Sequence, residues 1–416
     1  MTSKIKPLSE NKSKSTPERD FWLLLMAYLT SALGSTMIPV ALSFTMLKIG
    51  RSTSEVGGVL AIQSFVYAAL LLPAGAIADH LSRKNLIIAS DILRCSCHLA
   101  IAFLLFMQET SIWALTALVA LSGIGNAIFQ PAIGGLLPQI VTKENIQKST
   151  SMLSISYAAS NMVGPSLAGI ILATGISWLV FFLDAVTFAI SAMLIYFIRS
   201  SVPKPNAKTR NIFNDMAAGW LEFKKRRWLW AITGLFCSLN LFAMPFLLVL
   251  GAALFYERGE SAVVLGGLMT FGGIGVLIGG YFAFKVSIQY PLAFAAKYTT
   301  LAAPVLIFIA IDAPLPITLI SSIFLGATLA YSSIVIQSII QHEVSNDLVS
   351  RVLSISQLAT LATAPFGFAM AGSVSGFLGA EMTLMISASV IIISSIITYG
   401  VKDIRQFTLA KNKEET

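Results

Sequence analysis

Four ionisable residues stand inside otherwise apolar segments of the chain, where charge is expensive and usually serves a function. Asp91, Arg94 and His98 follow one another at intervals of three and four residues, which places them on one face of a helix. Asp91 and Arg94 can form an ion pair that serves structure and gating, or they can bind a substrate or a proton, and His98 is a further candidate. Asp184 lies in another apolar segment with no charged neighbour. It suits a group that binds and releases a proton, although a hydrogen-bonded structural Asp fits the same context.

Uncharged amide side chains in apolar segments form a second group of candidates. Each can line a cavity between helices, and each can equally form a hydrogen bond that joins two helices. The seven residues are Gln63, Asn126, Gln130, Asn161, Asn240, Gln337 and Gln357.

The composition defines the class of protein that must position these residues. Of 416 residues, 56% are hydrophobic and only 12% are charged, whereas soluble domains carry about 25% charged residues. The mean hydropathy of +0.79 excludes an ordinary soluble enzyme, a disordered scaffold and a nucleic-acid-binding protein. Cys95, Cys97 and Cys237 lack the spacing of a disulfide framework or a zinc site, so no metal site is expected.

The apolar residues fall into runs of about 20, the length that a helix needs to cross a bilayer. Twelve such runs predict an all-α membrane protein with twelve transmembrane helices. They are 21–44, 56–78, 86–107, 112–137, 150–174, 177–198, 229–255, 262–284, 293–312, 315–340, 350–376 and 381–401.

The basic residues are distributed unequally between the two sides of the predicted membrane. Of the 28 Lys and Arg residues, 24 fall on the side of the N-terminus, and only Lys48, Arg51 and Arg258 fall on the other. Because cytoplasmic loops are enriched in Lys and Arg, this asymmetry predicts that both termini are cytoplasmic. The net charge of +8 therefore reflects orientation in the membrane rather than an acidic partner.

The two halves of the chain repeat a short pattern. Residues 153–156 and 353–356 both read Leu-Ser-Ile-Ser, and Pro165 and Pro365 follow at the same distance. Both segments open spans that run outward, so the repeat is parallel. This arrangement predicts two six-helix halves, related by an axis along the membrane normal, with a cavity between them.

The repeat and the charge pattern divide the chain into five parts. The linker contains a basic amphipathic segment, Asn211 to Arg227, which predicts a helix that lies on the membrane surface and tethers the halves. The parts are an N-terminal cytoplasmic tail (1–20), an N-terminal six-helix half (21–198), a cytoplasmic linker (199–228), a C-terminal six-helix half (229–401) and a C-terminal cytoplasmic tail (402–416).

The loop between the second and third predicted spans carries the most specific pattern. Gly75, Asp79, Arg83 and Lys84 resemble the G-x-L-x-D-R-x-G-R-K/R signature of the major facilitator superfamily, from which the loop departs at three other positions. The resemblance covers nearly the whole chain and implies a gating role, with Asp79 facing the N-terminal end of the eleventh span. Gly75 permits close helix approach, and Arg83 and Lys84 are expected to stay at the lipid headgroups.

The fifth predicted span contains Gly164, Pro165 and Gly169, which resemble the G-P-x-x-G-G signature that this superfamily associates with exporting antiporters. Proline removes a helix hydrogen bond, so this element can bend the helix, or it can be a packing kink without directional meaning. Residues 91–94 and 129–131 are similar to the drug:proton antiporter branch that includes macrolide and siderophore (enterobactin-type) exporters.

No P-loop, zinc-protease or serine-hydrolase motif occurs, so neither an enzyme activity nor a cofactor is expected, and an ion gradient must supply the energy. Gly275 and Gly279 are interpreted as helix packing. The residues and the resemblance together predict a secondary transporter that exports an amphipathic small organic molecule, such as an antibiotic or a siderophore, by proton-coupled alternating access.

The expected partners of this transporter are its small-molecule substrate, protons and the lipid bilayer, without nucleic acid. A monomer in a bacterial inner membrane is expected. The alternatives are an importer or facilitator of a small solute and, in a different class, a transport-inactive membrane sensor or scaffold.

Overall fold

The chain folds into a bundle of long helices, and the computed structural model describes residues 15–109, 111–199, 212–286 and 288–408. Twelve helices are long and apolar enough to cross a membrane, and no β-strand occurs within the described ranges. The prediction of a twelve-span all-α membrane protein is therefore confirmed. Most of both predicted tails and the first part of the predicted linker lie outside the described residues.

Six helices form the N-terminal half. Short polar loops join them, and serine side chains cap several N-termini: Ser52 and Glu55 form a capping box, and Ser82 accepts a hydrogen bond from the Asn85 amide. The helices are α1 (Ser15–Lys48), α2 (Thr53–His80), α3 (Arg83–Phe106), α4 (Ile112–Ile140), α5 (Ile146–Ala173) and α6 (Ser177–Tyr196).

The linker contributes one helix, and six further spans form the C-terminal half. A short helix follows the last span. These elements are α7 (Ile212–Lys225) in the linker, the spans α8 (Arg227–Glu257), α9 (Ala262–Lys285), α10 (Pro291–Ala310), α11 (Leu315–Glu343), α12 (Leu348–Leu378) and α13 (Ala380–Gly400), and α14 (Lys402–Arg405).

Three spans of the C-terminal half depart from regular α-helical geometry close to a proline. A π-helical turn, Leu247–Gly251, follows Pro245 in α8. A 3₁₀ turn, Thr299–Ala302, precedes the second part of α10, and α12 is interrupted just before Pro365. Proline cannot donate to the preceding turn, so the helix must adjust locally.

Several helices extend beyond the predicted apolar runs. The α1 helix continues to Lys48 instead of ending at residue 44, and α8 begins at Arg227 instead of residue 229. Hydropathy marks where the hydrocarbon layer ends, whereas a helix ends where a cap or a loop residue stops its hydrogen bonding. Polar residues of the first and last turns therefore remain helical.

The most extensive contacts between the two halves are those of α2 with α12 and of α5 with α9, and α1 also contacts α8 and α9. Because the chain crosses twelve times, both ends of the described chain lie on one side of the bundle. We call this side the terminal face and the other side the opposite face. Near the opposite face, Gly372 of α12 lies against the backbone of Thr53 and Ser54, and the Ser54 hydroxyl donates to the Gly372 carbonyl at 3.0 Å. Small residues thus bring the halves together at the opposite face.

The linker helix α7 packs against α12 and α8 of the C-terminal half. Gly219 faces Arg351 and Ile355 of α12, and Phe223 is buried. The sequence predicts a helix on the membrane surface, but the described end of α7 rests partly on protein. Hydrogen bonds from Arg226 and Lys225 lower the pKa of Glu222 at this end.

Within the C-terminal half, Gly275 and Gly279 bring α9 into close contact with α11. An added Cβ at Gly275 would meet the carbonyl oxygen of Ile323, and one at Gly279 would meet that of Ala327. This placement agrees with the interpretation of the two glycines as helix packing.

Replacing Gly275 with Ala should therefore lower stability by about 1–3 kcal/mol, the usual cost of overpacking. Gly280→Ala is the matched control in the same helix, because its Cβ would make only an ordinary contact, 3.7 Å from the Ile334 side chain. Thermal unfolding of both purified variants in one detergent measures the difference. Equal midpoints would contradict close packing of α9 on α11.

Candidate functional site

A cluster of buried ionisable residues lies where α3, α4 and α6 meet, near the middle of the N-terminal half. Arg94 Nη2 donates to Asp91 Oδ1, so the two residues form the ion pair that their spacing allows. The second oxygen of Asp91 accepts a hydrogen bond from Ser191 of α6 at 2.7 Å. Arg94 Nη1 donates to the Asn126 side-chain oxygen of α4 at 3.1 Å. One ion pair therefore connects three helices.

Aromatic rings complete the surroundings of Arg94. Its guanidinium carbon lies 4.2 Å from the ring centroids of both Phe129 and Phe188, a cation–π arrangement on two sides. The edge of the same Phe188 ring meets the His98 imidazole, with centroids 5.5 Å apart. Gly125 leaves space for the Arg94 stem, since a Cβ there would lie 2.6 Å from Arg94 Cγ. The cation is thus held by packing as well as by its carboxylate.

His98 and Asp184 form the second pair of the cluster. His98 Nδ1 lies 2.6 Å from Asp184 Oδ2, and Nε2 lies 3.0 Å from the Ser122 hydroxyl. The Thr187 hydroxyl donates to Asp184 Oδ1 at 3.2 Å. The expectation of an isolated Asp184 is therefore wrong. Its partner comes from α3, a different helix, and the spacing of residues within α6 carries no information about that contact.

The two pairs differ in their charge balance. Arg94 stays protonated in proteins, and its charge is cancelled by that of Asp91. His98 and Asp184 lie within 2.6 Å of each other, but neither His98 Nδ1 nor Asp184 Oδ2 has a hydrogen-bond partner among the described residues. Because an unbalanced buried charge is costly, the second pair determines whether the cluster as a whole is neutral.

Four of the seven amide candidates line one cavity of about 370 Å³, most of whose wall comes from the N-terminal half. Arg94 reaches the same cavity, so it belongs both to the buried cluster and to the cavity wall. Met244, Leu248 and Met269 close the cavity from the C-terminal half. The amide and tyrosine residues of the wall are Gln63, Asn126, Gln130, Asn161, Tyr28, Tyr67 and Tyr157.

The other three amide candidates line a second cavity of about 730 Å³ between the halves. These are Asn240, Gln337 and Gln357, which α8, α11 and α12 provide, and Tyr67, Leu71 and Leu72 face them from the N-terminal half. Tyr67 contributes to both cavities. This second cavity lies between the two halves. It is nearer the terminal face than the α2–α12 and α5–α9 contacts are.

Gly164, Pro165 and Gly169 lie where α5 packs closely against α1 and α9. An added Cβ at Gly164 would meet Thr36 of α1, and one at Gly169 would lie 2.8 Å from the carbonyl oxygen of Ala262 in α9. Beside them, the Ser166 and Thr270 hydroxyls are 2.5 Å apart, and Thr270 donates to the Met162 carbonyl at 2.6 Å. The glycine–proline element therefore lies on the interface between the halves.

The loop motif after α2 contacts the main chain of neighbouring helices. Lys84 Nζ donates to the carbonyls of Tyr196, the last residue of α6, and Ile198 just beyond it, at 2.8 and 2.7 Å. Arg83 donates to the Gly135 carbonyl in the last part of α4. An added Cβ at Gly75 in α2 would meet nothing within 4 Å, so the expectation of a close helix approach at this glycine is wrong. The Asp79 side chain lies outside the described residues.

Several residues of the cluster are absent from the candidates drawn from the sequence. Thr187, Phe188 and Ser191 follow Asp184 at three, four and seven residues, which forms a stripe on one face of α6. That stripe is a signal from which they could have been found. Ser122 and Phe129 of α4 lie four residues before and three residues after the candidate Asn126, on the same face of that helix, so the same signal was present for them.

The twelve spans, the two halves and the cavities between them define an all-helical membrane transporter. The chain belongs to the Major Facilitator Superfamily, whose family model matches residues 24–360.

Relatives and solved structures agree with this membership. The chain is 26% identical to an uncharacterised MFS-type transporter, YfiS, of Bacillus subtilis, covering 98% of this chain and 99% of the relative. It is 23% identical to the multidrug efflux pump Tap of Mycolicibacterium fortuitum (93% and 97%) and 21% identical to macrolide efflux protein A of Streptococcus pyogenes (94% and 97%). The fold resembles the nucleoside transporter NupG, with a TM-score of 0.72 at 14% identity over 92% of this chain and 99% of that one.

Removing one partner of the first ion pair should destabilise the protein strongly. Arg94→Gln leaves Asp91 buried without its cation, which costs about 3–5 kcal/mol in comparable buried pairs. The double variant Arg94→Gln/Asp91→Asn removes both charges and should recover more than half of this loss. Unfolding of Arg94→Gln, Asp91→Asn and the double variant in one detergent measures the coupling free energy between Arg94 and Asp91. Stability losses that simply add in the double variant would contradict direct pairing.

Proposed function

We propose that this transporter exports an amphipathic small organic molecule in exchange for protons. The observation that carries the proposal is that Arg94, which lines the first cavity, belongs to the same buried cluster as the His98–Asp184 pair, to which we assign the binding of one proton. A change in the proton content of the cluster alters the electrostatic balance around Arg94, and Arg94 is within reach of a molecule in the cavity. The names of the relatives Tap and macrolide efflux protein A support export.

The cavity walls suit a molecule with both polar and apolar parts. Amide and tyrosine side chains offer donors and acceptors, while Met244, Leu248 and Met269 offer an adaptable apolar wall. Neither cavity contains an Asp or Glu among its described lining residues. The carboxylates that hold the proton therefore act from behind Arg94 and not by direct contact with the substrate.

In this proposal, access of water to the second pair depends on α1. An added Cβ at Gly34 would meet the side chains of Asp184 and Thr187, so α1 packs directly over the carboxyl group. A displacement of α1 relative to α6 opens the His98–Asp184 pair to water, and its return closes the pair again. Gly75, Asp79 and the Gly164–Pro165 element serve as gating elements between the two states.

The orientation follows from the distribution of basic residues. We place the terminal face in the cytoplasm, because 24 of the 28 Lys and Arg residues lie on that side. The second cavity then opens toward the cytoplasm, which is the state that accepts a molecule for export. The named relatives come from bacteria, so we assign the chain to the bacterial plasma membrane, with one chain enclosing the whole pathway.

Transport by everted membrane vesicles tests the coupling. Wild-type vesicles should accumulate a radiolabelled macrolide or another compound from a drug panel, and an uncoupler should abolish the accumulation. Asp184→Asn removes the proton-binding carboxyl and should lower accumulation at least about tenfold, with substrate affinity changed less than about threefold.

Asp312→Asn is the matched control, because Asp312 is 68% exposed and pairs with Arg258 at the opposite face. It should transport like the wild type. Accumulation that resists the uncoupler, or an Asp184→Asn variant with full activity, would refute the proton coupling. Accumulation only in right-side-out vesicles would show an importer.

A reversible cross-link tests alternating access. In a variant whose three native cysteines are replaced by serine, Ser166→Cys and Thr270→Cys place two thiols where the hydroxyls are 2.5 Å apart. Oxidation should join α5 to α9 and stop transport, and reduction should restore it. The single variant Ser166→Cys should be insensitive to oxidant. Full activity of the cross-linked protein would contradict separation of the halves at this point.

A further inference from the structure

Tyr67 of α2 lies where the two central cavities meet. Of the lining residues that the structure describes, it alone belongs to the walls of both cavities. Its side chain is half-buried, so part of the ring is free of neighbouring protein. Such a ring can turn about its side-chain bonds while the helix that carries it stays in place. Tyr67 is therefore in a position to control passage from one cavity to the other.

The order of residues along α2 gives the relative depth of the two cavities. Gln63 and Ser64 line the first cavity. Leu71 and Leu72, one turn beyond Tyr67, line the second. Because α2 runs from the opposite face to the terminal face, the second cavity lies on the terminal side of Tyr67 and the first cavity lies on its other side.

Two other helices place the boundary between the cavities at a corresponding position. On α8, which runs in the reverse direction, Asn240 lines the second cavity and Met244, about one helical turn later, lines the first. On α4, Gln130 lines the first cavity and Pro131 lines the second. The cavities are therefore neighbours along the membrane normal, and a molecule that moves between them passes the level of Tyr67.

The walls on the two sides of Tyr67 differ in charge. The described wall of the second cavity contains no Asp, Glu, Lys, Arg or His, and its polar groups are carboxamides and hydroxyls. The wall of the first cavity includes Arg94. Tyr28 of that wall stacks on Phe129 with ring planes 6° apart, and Phe129 covers the guanidinium of Arg94. Only a molecule that has passed Tyr67 from the terminal side therefore reaches the part of the path next to the buried cluster.

We propose that Tyr67 is a specificity-determining residue of this transporter. The second cavity accepts molecules of different widths, and only those that can pass the Tyr67 ring reach Arg94. The width of a molecule is thus selected before its polar groups are recognised in the first cavity. This order of events rests on the proposed function, because export requires entry from the terminal face. The division of the path at Tyr67 does not depend on it.

Thiol labelling measures access to each cavity without transport. In the variant whose three native cysteines are replaced by serine, Ser35→Cys places a thiol in the first cavity and Ser333→Cys places one in the second. The purified full-length variants react either with N-ethylmaleimide or with the wider N-(1-pyrenyl)maleimide, both of which are uncharged. The ratio of the two rates at Ser333→Cys corrects for differences in reactivity and in partitioning into detergent.

With Tyr67 intact, the wide reagent should be disfavoured at Ser35→Cys by at least about tenfold relative to Ser333→Cys, because access limits the reaction of a thiol. Tyr67→Ala should remove most of this selectivity, Tyr67→Phe should retain it, and Tyr67→Trp should increase it. Phe65→Ala is the matched control and should retain the selectivity, because Phe65 is an exposed aromatic residue of the same helix that is in neither cavity wall.

Two results would overturn the proposal. One is equal discrimination between the reagents at both thiols while Tyr67 is intact, since the ring would then not restrict the path. The other is a selectivity that Tyr67→Ala leaves unchanged or that Phe65→Ala lowers equally. Opposite shifts in Tyr67→Ala and Tyr67→Trp cannot arise from a general loss of structure. Transport that is independent of protons would leave these ratios unchanged, so a failure of the transport proposal is recognised separately.

Discussion

The buried guanidinium of Arg94 is the constraint around which the N-terminal half is arranged. The hydrocarbon interior of a membrane cannot hydrate this cation, so protein groups must take the place of much of its water. Asp91, Asn126 and two phenylalanine rings do so from three helices. The α3, α4 and α6 helices are thereby fixed in their mutual rotation, and this rotation also brings His98 to Asp184.

The two halves are joined by a different kind of contact. At the opposite face, glycines and short hydroxyl side chains let α2 approach α12 and α5 approach α9. These contacts act only at short range and involve no charged groups, so the helices can separate without exposing an unpaired ion. The Asp91–Arg94 and His98–Asp184 pairs lie within one half, so separating the two halves does not by itself break them.

The sequence was sufficient for the twelve spans, because hydropathy and length are properties of each segment alone. It was also sufficient for the Asp91–Arg94 pair, whose members lie on one helix face. It failed for His98 and Asp184, since their contact depends on how two helices rotate against each other. Nor could it indicate the carbonyls that bind Lys84, because they belong to Tyr196 at the end of α6 and to Ile198 just beyond it, more than one hundred residues away. The distribution of the amide residues between two cavities likewise depends on tertiary packing.

The π-helical turn at Leu247–Gly251 changes the direction that the side chains of α8 face along the span. A π turn accommodates one residue more than an α-helical turn, so side chains beyond it are rotated by about 100° from the register that precedes it. The corresponding first span of the N-terminal half, α1, has no such turn along Ser15–Lys48. The first spans of the two halves therefore differ in the direction that their side chains face after this point, although each opens its half of the bundle.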